Sequence, residues 1–387
     1  MRYCSFFIVP FLILLLLTAC WDSESIEDRG FIIGTAIDLA EQKNNETILF
    51  VTNQLVIPFN VQSTTTGGSS GEEPYINISA QGKSLYQIDQ EMAKLTNKLP
   101  FFEHTKVLII SEEIARTPHL LSSLLDIYIR SPEMRRGIHV VVTKKAKQLL
   151  ESEPKAEKLP SIYIDELLNT GSEKAGLYRP KSIGDIQEEI LRNSSFVLPI
   201  LSPVEKRIEY TGGAVFHGHK SQMIDTLTNE EVTGLNLVIG NSKSGTLEIN
   251  YKDSLITVDI KNIHNKLKID PSNLDDIKVT IQIKMTATIE EIFGKENLQT
   301  DKNLPKIEEA FSNHMQTLVK MVFEKGKSEL HADIFQLDKV LESRHPKIWK
   351  KIKKDWDHGE NYFSNTTLEL NVETNIRTTG AVIQTKK

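Results

Sequence analysis

The chain has 387 residues, 46 of them Lys or Arg against 52 Asp or Glu, for a formal net charge of −6. A charge this small and mixed in sign gives no basic footprint for nucleic acid, and the length allows two or three domains with cores of their own. The two cysteines, Cys4 and Cys20, both fall within the first twenty residues, so the rest of the chain has none for a disulfide, a thiolate metal site or a catalytic thiol.

The sequence opens MRYCSFFIVPFLILLLLTACWDSESIED. The apolar run from Phe6 to Leu17 is well short of the about 20 residues that cross a bilayer. With Arg2 before it and Leu17, Thr18 and Ala19 after it, the run has the layout of an export signal. Leu-Thr-Ala-Cys is similar to the bacterial lipobox, in which the cysteine thiol takes a diacylglyceryl group and becomes the first mature residue. The expectation is a signal peptide over residues 1–19 and lipidation at Cys20. Each buried methylene contributes about 0.8 kcal/mol, so two acyl chains anchor stably where one holds only marginally. The mature chain would then sit on a membrane without spanning it.

FIIGTAIDLA and TILFVTNQLVIPF, rich in β-branched residues and separated by EQKNNE, read as a hairpin. QSTTTGGSSGEEP has too little apolar surface to fold alone and reads as a surface loop. Leu85, Ile88, Met92, Leu95 and Leu99 then recur at helical spacing behind a Ser84/Gln87 capping box. KVLIIS is suited to a buried strand, Ser111 to capping a second helix, and IHVVVTK to another strand before a third helical stretch, an alternation that predicts an α/β unit with some parallel pairing. Pro154, Pro160, Pro180, Pro199 and Pro203 punctuate the region that follows, where helices must stop or kink. This places the main boundary near residue 200.

Beyond it, GGAVFHGHK and QMIDTL read as strands, and a Thr228/Glu231 capping box opens a helix that ends at Gly240. TLEINYK, LITVDIKNI and IKVTIQIKMTATI alternate as strands of an antiparallel sheet. Ile307, Phe311, Met315, Leu318 and Val322 mark a core-packed helix over 306–325, PKIWKKIKKDW a basic helix, and TLELNVETNIRT a closing strand. The fold class is therefore mixed, α+β overall. An N-terminal α/β unit over 20–200 is followed by an α+β unit with an antiparallel sheet over 201–387.

No GxGxxG follows a strand and no GxxxxGK[ST] occurs, so no glycine loop is built to cradle a nucleotide. GNSKSG lacks the spacing of a nucleophile elbow and reads as a helix end and turn. His217 and His219, two apart in FHGHK, would share a strand face, but no third ligand is near, and they read as solvent-facing or hydrogen-bonded histidines rather than a metal site. His314 reads as a core-edge residue. In HPKIWKKIKKDWDH, His345, Trp349, Ile352 and Trp356 form one stripe. Lys347, Lys350, Lys351, Lys353 and Lys354 cover much of the rest. The tryptophans are expected in the core with the lysines as a solvated face, in preference to a basic face on anionic lipid. Neither a catalytic nor a cofactor site is assigned.

CWDSESIEDRGFIIGTAID resembles the start of mature Ger(x)C proteins, the lipoprotein C subunits of spore germinant receptors, through Cys20, Trp21, Asp22, Ile26, Gly34 and Asp38. The resemblance continues through HTKVLIISEEIA, IYIRSPEMRRGIHVVVT, TGGAVFHGHK and HADIFQLDKVLESRHPKIWKKIKKDW to Gly380. Ser25 replaces a common glutamate, and FQL after Asp333 lacks a frequent glycine. The resemblance implies a non-catalytic, membrane-anchored ectodomain at the inner membrane of the spore, needed for nutrient-triggered germination. It also implies two partners, an A subunit with membrane helices and a soluble domain, and a polytopic, transporter-like B subunit. A second reading is a solute-binding lipoprotein of a transporter, which would bind a small ligand in isolation and show two similar lobes. A third, an envelope hydrolase, would need a nucleophile or carboxylate site that spacing does not reveal.

Overall fold

The computed structural model describes residues 29–40, 46–57, 74–174, 176–205, 207–240, 245–294 and 302–377. The expected signal segment, Cys20 and all of QSTTTGGSSGEEP except Pro74 lie outside the described residues. The expected hairpin forms, β1 (Arg29–Leu39) pairing antiparallel with β2 (Leu49–Val56). β2 pairs in turn with β3 (Tyr75–Gly82), a strand the sequence reading did not predict. It is an edge strand with no fully buried residue, so it lacks the apolar contrast that marks a strand.

Helix α1 (Leu85–Ala93) is capped by Ser84, whose Oγ accepts from the Gln87 amide. It stops before Leu95, which is 64% exposed. Leu99 instead opens β4 (Leu99–Phe101), parallel to the start of β1. Leu99 precedes Pro100, whose ring disfavours helical backbone in the residue before it. The capping residue was legible, and the end of the helix was not.

β5 (Val107–Ser111) runs parallel to β1, and Ser111 caps α2 (Glu112–Arg116), followed by α3 (Leu120–Arg130). β6 (His139–Thr143) lies parallel to β5 and leads through α4 (Ala146–Leu150), α5 (Pro160–Lys174) and α6 (Ile183–Arg192) into β7 (Phe196–Val204). β8 (Arg207–His217) and β9 (Gln222–Leu227) complete a nine-stranded sheet of order β3-β2-β1-β5-β6-β7-β8-β9, with β4 beside β1. Its parallel centre is thus flanked by antiparallel ribbons on both sides. Pro199 and Pro203 lie inside β7, which meets β6 at the single register Val142–Ile200. So short a ladder tolerates residues without an amide hydrogen. Residue 200 falls within this strand, and the first sheet continues to Leu227.

Leu108 and Ile110 of β5 pack under α1, α3 and α6, while Val107 and Ile109 pack under α4 and α5. A strand covered on both faces needs a continuous apolar run, which is why KVLIIS is legible. Gly34 of β1 lets α5 approach closely: a Cβ there would lie 1.9 Å from Ser161 Oγ. Four residues on, Asp38 accepts from the amides of Ala146 and Lys147, both at 2.8 Å, and so holds the start of α4.

α7 (Asn229–Ile239) carries the expected capping box, Thr228 with Glu231, and ends at left-handed Gly240. β10 (Gly245–Tyr251), β11 (Ser254–Asp270) and β12 (Ile277–Phe293) form the antiparallel part of a second sheet. α8 (Leu304–Glu324), α9 (Leu337–Arg344) and α10 (Pro346–Ile352) then cross over to β13 (Thr366–Arg377), which joins β12 in parallel. A helical crossover of this length returns the chain in its original direction, so the closing strand is the one departure from the antiparallel expectation. One core runs from the second sheet through α7 and α8 to Val197, Val215 and Leu227 of the first.

Candidate functional site

A group of buried polar side chains lies where the loop between α6 and β7 meets the segment around α9 and α10. Asp333 is 2% exposed. Its Oδ1 accepts from the amides of Phe335 and Leu337, and its Oδ2 from the Asp338 amide at 2.9 Å and from Trp356 Nε1 at 2.7 Å. Asp338 Oδ2 accepts from Ser194 Oγ and lies 3.6 Å from the Arg192 guanidinium. Asp357 Oδ2 accepts from Ser195 Oγ at 2.6 Å and from the Asp333 amide at 3.3 Å. Ser195 Oγ accepts in turn from the Gly218 amide. Gly218 is needed there, since a Cβ would fall 2.2 Å from the Asn193 carbonyl.

Burial and the neighbouring Asp338 carboxylate push the Asp333 pKa up, to about 8, against the pull of the Trp356 and Asp338 N–H donors. Asp338 is also raised by burial, while the Ser194 hydroxyl and Arg192 oppose the rise. Just outside, Glu189 Oε1 accepts from Lys181 Nζ and Lys339 Nζ, both at 2.9 Å, and Arg192 also pairs with Glu342. The cations come from both sides of the junction, and the acids sit between them.

The seam encloses only about 10 Å³ of free space, at most one water molecule. Both serine hydroxyls donate to carboxylates and not to an imidazole, which is not the arrangement that activates a nucleophile. What this arrangement can do is hold the two sheets in register: each bond across it is worth about 0.5–1.5 kcal/mol, and about 1.5–3 kcal/mol where the acceptor is a charged carboxylate.

The histidines fall at its edge. His217 ends β8, but His219 lies in the 3-10 turn Gly218–Lys220, so the two do not share a strand face as the spacing suggested. His217 Nε2 bonds the Asp357 carbonyl at 3.0 Å. His219 stacks on His358 with ring centroids 4.6 Å apart. The Asp357 carboxylate raises the His358 pKa, and burial together with His358 lowers that of His219. Among the described residues no group of three His, Cys, Asp or Glu has metal-holding geometry.

Trp349, Ile352 and Trp356 are buried, the two indoles edge to face at 6.1 Å, and the five lysines around them are exposed. The solvated-face reading of the basic helix holds, although the helix ends at Ile352 and Trp356 reaches the core from the turn after it. His345 Nε2 bonds the Ile269 carbonyl. Sequence reasoning missed Ser194, Ser195, Asp338 and Asp357. The one local trace was the pair of acids five apart in DIFQLD, and it points to neither serine nor to Asp357.

No helix among the described residues is long and apolar enough to cross a membrane. Residues 22–203 match the family described as spore germination protein N-terminal domain, and residues 211–380 the family described as spore germination B3/GerAC like, C-terminal. The chain is 26% identical to spore germination protein YndF of Bacillus subtilis (strain 168), over 97% of this chain and 96% of that one. It is 24% identical to spore germination protein B3 of the same organism, over 99% and 100%. The crystal structure of the GerBC protein superposes with a TM-score of 0.60 at 19% identity, covering 92% of this chain and 99% of that one, and so shares the fold.

Proposed function

Because the chain belongs to the Ger(x)C family of spore germination proteins through both its N-terminal and its C-terminal segment, and so has a germination-related role, we propose that it is the lipid-anchored, non-catalytic C subunit of a nutrient germinant receptor. The carrying observation is that the two family segments follow one another along nearly the whole chain and are sealed into one body by the buried carboxylate seam. In this reading residues 1–19 are removed, Cys20 carries the lipid, and the protein stands on the outer face of the inner spore membrane beside an A and a B membrane subunit.

Three features support it. The described residues contain no membrane-length helix, which suits a protein held by lipid. The polar cluster at the junction of the two sheets is closed and hydrogen-bonded internally, as suits a structural joint. The two sheets differ in construction, one with a parallel centre and one built on antiparallel hairpins, unlike the paired similar lobes of a solute-binding protein. The test is genetic. Deleting the gene should abolish germination with one nutrient set and leave growth and nutrient-independent germination unchanged. Normal germination with every nutrient, coupled to loss of uptake of one solute, would replace this reading with the transporter one.

A further inference from the structure

A second place in the fold is open where the seam is closed. Helices α1 and α3 lie on the same face of the first sheet, and a groove of about 930 Å³ is lined by residues of both. Its lining is mixed: Leu85 of α1, Leu124 and Ile127 of α3, and Phe102 and Met134 supply apolar surface, while exposed polar and charged side chains supply the rest. Tyr86 is 68% exposed, standing over the opening. One acidic side chain, Asp89 of α1, is half-buried on the inner wall. Its single hydrogen bond is a long one, from Asn53 Nδ2 at 3.4 Å, and among the described residues it has no Lys, Arg or His partner. The aspartates of the seam are met by several N–H or O–H donors, but this one has a single long bond and no counter-charge among the described residues.

A groove of this size that pairs apolar surface with a few convergent polar groups is the usual form of a small-molecule site, and Asp89 is the acid set on its inner wall. The charge left unmatched says which kind of molecule. We infer that the groove between α1 and α3 binds a small amphipathic cation, an apolar body carrying a single ammonium group, with the ammonium paired to Asp89. A neutral apolar ligand would leave the carboxylate desolvated without compensation, and an anion would add repulsion. The inference does not depend on the receptor role, because it concerns the groove alone.

Desolvation raises the Asp89 pKa to about 7. The other charged groups lining the groove are Lys83, Asp126, Arg130 and Glu133, with Arg130 and Asp126 paired at 2.7 Å. The buried Tyr128 hydroxyl beneath has its pKa pushed up, so it stays neutral. No histidine lines the groove. Between pH 6 and 8 Asp89 is therefore the group whose charge changes.

The test uses the full-length chain in a mild detergent, its methionine methyls labelled with carbon-13, so that Met134 reports from the groove. Phenethylamine is titrated as the probe against its neutral counterpart 2-phenylethanol. The amine should shift the Met134 methyl saturably, and the alcohol should bind about ten-fold more weakly. Asp89→Asn should bring the amine down to the affinity of the alcohol and leave the alcohol unchanged. Wild-type affinity for the amine should rise about ten-fold from pH 6 to pH 8, as the competent ionised fraction grows. Ala93→Phe, which fills the groove one turn along α1 from Asp89 and keeps the carboxylate, should abolish both. Partition into detergent is common to all variants and cancels. Equal affinity for amine and alcohol, an amine affinity unchanged by Asp89→Asn, or shifts that never saturate would overturn the assignment.

Discussion

Asp357 and Asp89 show how the same side chain has opposite consequences in two surroundings. Asp357 receives the Ser195 hydroxyl and the Asp333 amide, so removing a donor should cost more than the bond itself. Ser195→Ala is expected to lower unfolding stability by about 1–3 kcal/mol, because a buried carboxylate loses one of its donors. It also releases the Gly218 amide. A denaturant midpoint unchanged from wild type would show that the seam does not hold the halves together. Asp89 has the reverse sign. Its folded pKa of about 7 lies above the ordinary aspartate value of 3.8, so the folded state binds the proton more tightly than the unfolded chain does. The stability this contributes is complete below about pH 4, falls as the pH rises, and is gone above about pH 7. Asp89→Asn, which cannot ionise, should therefore be more stable than wild type at pH 8, by about 1 kcal/mol after allowance for partial exposure. At pH 4 the two should melt together. A variant less stable at pH 8 would mean that Asp89 has a counter-charge in solution.

At the scale of elements, what was legible was what sequence-local physics decides. The Thr228/Glu231 capping box is an instance: Thr228 Oγ1 accepts from the Glu231 amide and Glu231 Oε2 from the Thr228 amide, as their spacing of three residues requires. Thr228→Ala should cost about 1 kcal/mol, read as a lower thermal midpoint, while Thr228→Ser should retain nearly all of it. The doubly buried strand β5 and the amphipathic α8 were legible for the same reason, their burial being written in runs of four to twenty residues. β3 was not, since an edge strand with half-wet faces carries no periodic contrast. The true end of α1 was hidden because Leu95 and Leu99 continue the helical spacing although one is solvent-exposed and the other serves β4. The seam was least legible of all. Ser194 and Asp338 are 144 residues apart, and nothing local marks two serines and three aspartates as neighbours. Gly34 and Asp38 could be quoted as a pattern, but only the fold gives the reason: one lets α5 close on β1 and the other holds α4.

Taken whole, the two sheets are not two independent bodies. One apolar core continues from the second sheet into Val197, Val215 and Leu227 of the first, and the polar seam closes the same junction. A body built this way transmits a pull on its N-terminus as a unit, and the proposed lipid at Cys20 would act just ahead of β1, at the centre of the first sheet. A chain confined to a thin layer beside the membrane meets membrane partners at an effective concentration set by the tether, of the order of millimolar for a short one. Contacts too weak to survive in free solution then suffice. Cys20→Ala should therefore act on assembly while leaving the fold intact: its thermal midpoint should match wild type. Membrane fractionation should find the variant released or uncleaved, and metabolic labelling with a radioactive fatty acid should lose its signal. Recovery of the two membrane subunits on co-purification should fall far below wild type, and germination with the corresponding nutrients should fail. Equal labelling of wild type and variant would remove Cys20 as the anchor. Loss of label with full recovery of the partners would show that protein contacts alone hold the complex, and the tether would then have no part in assembly.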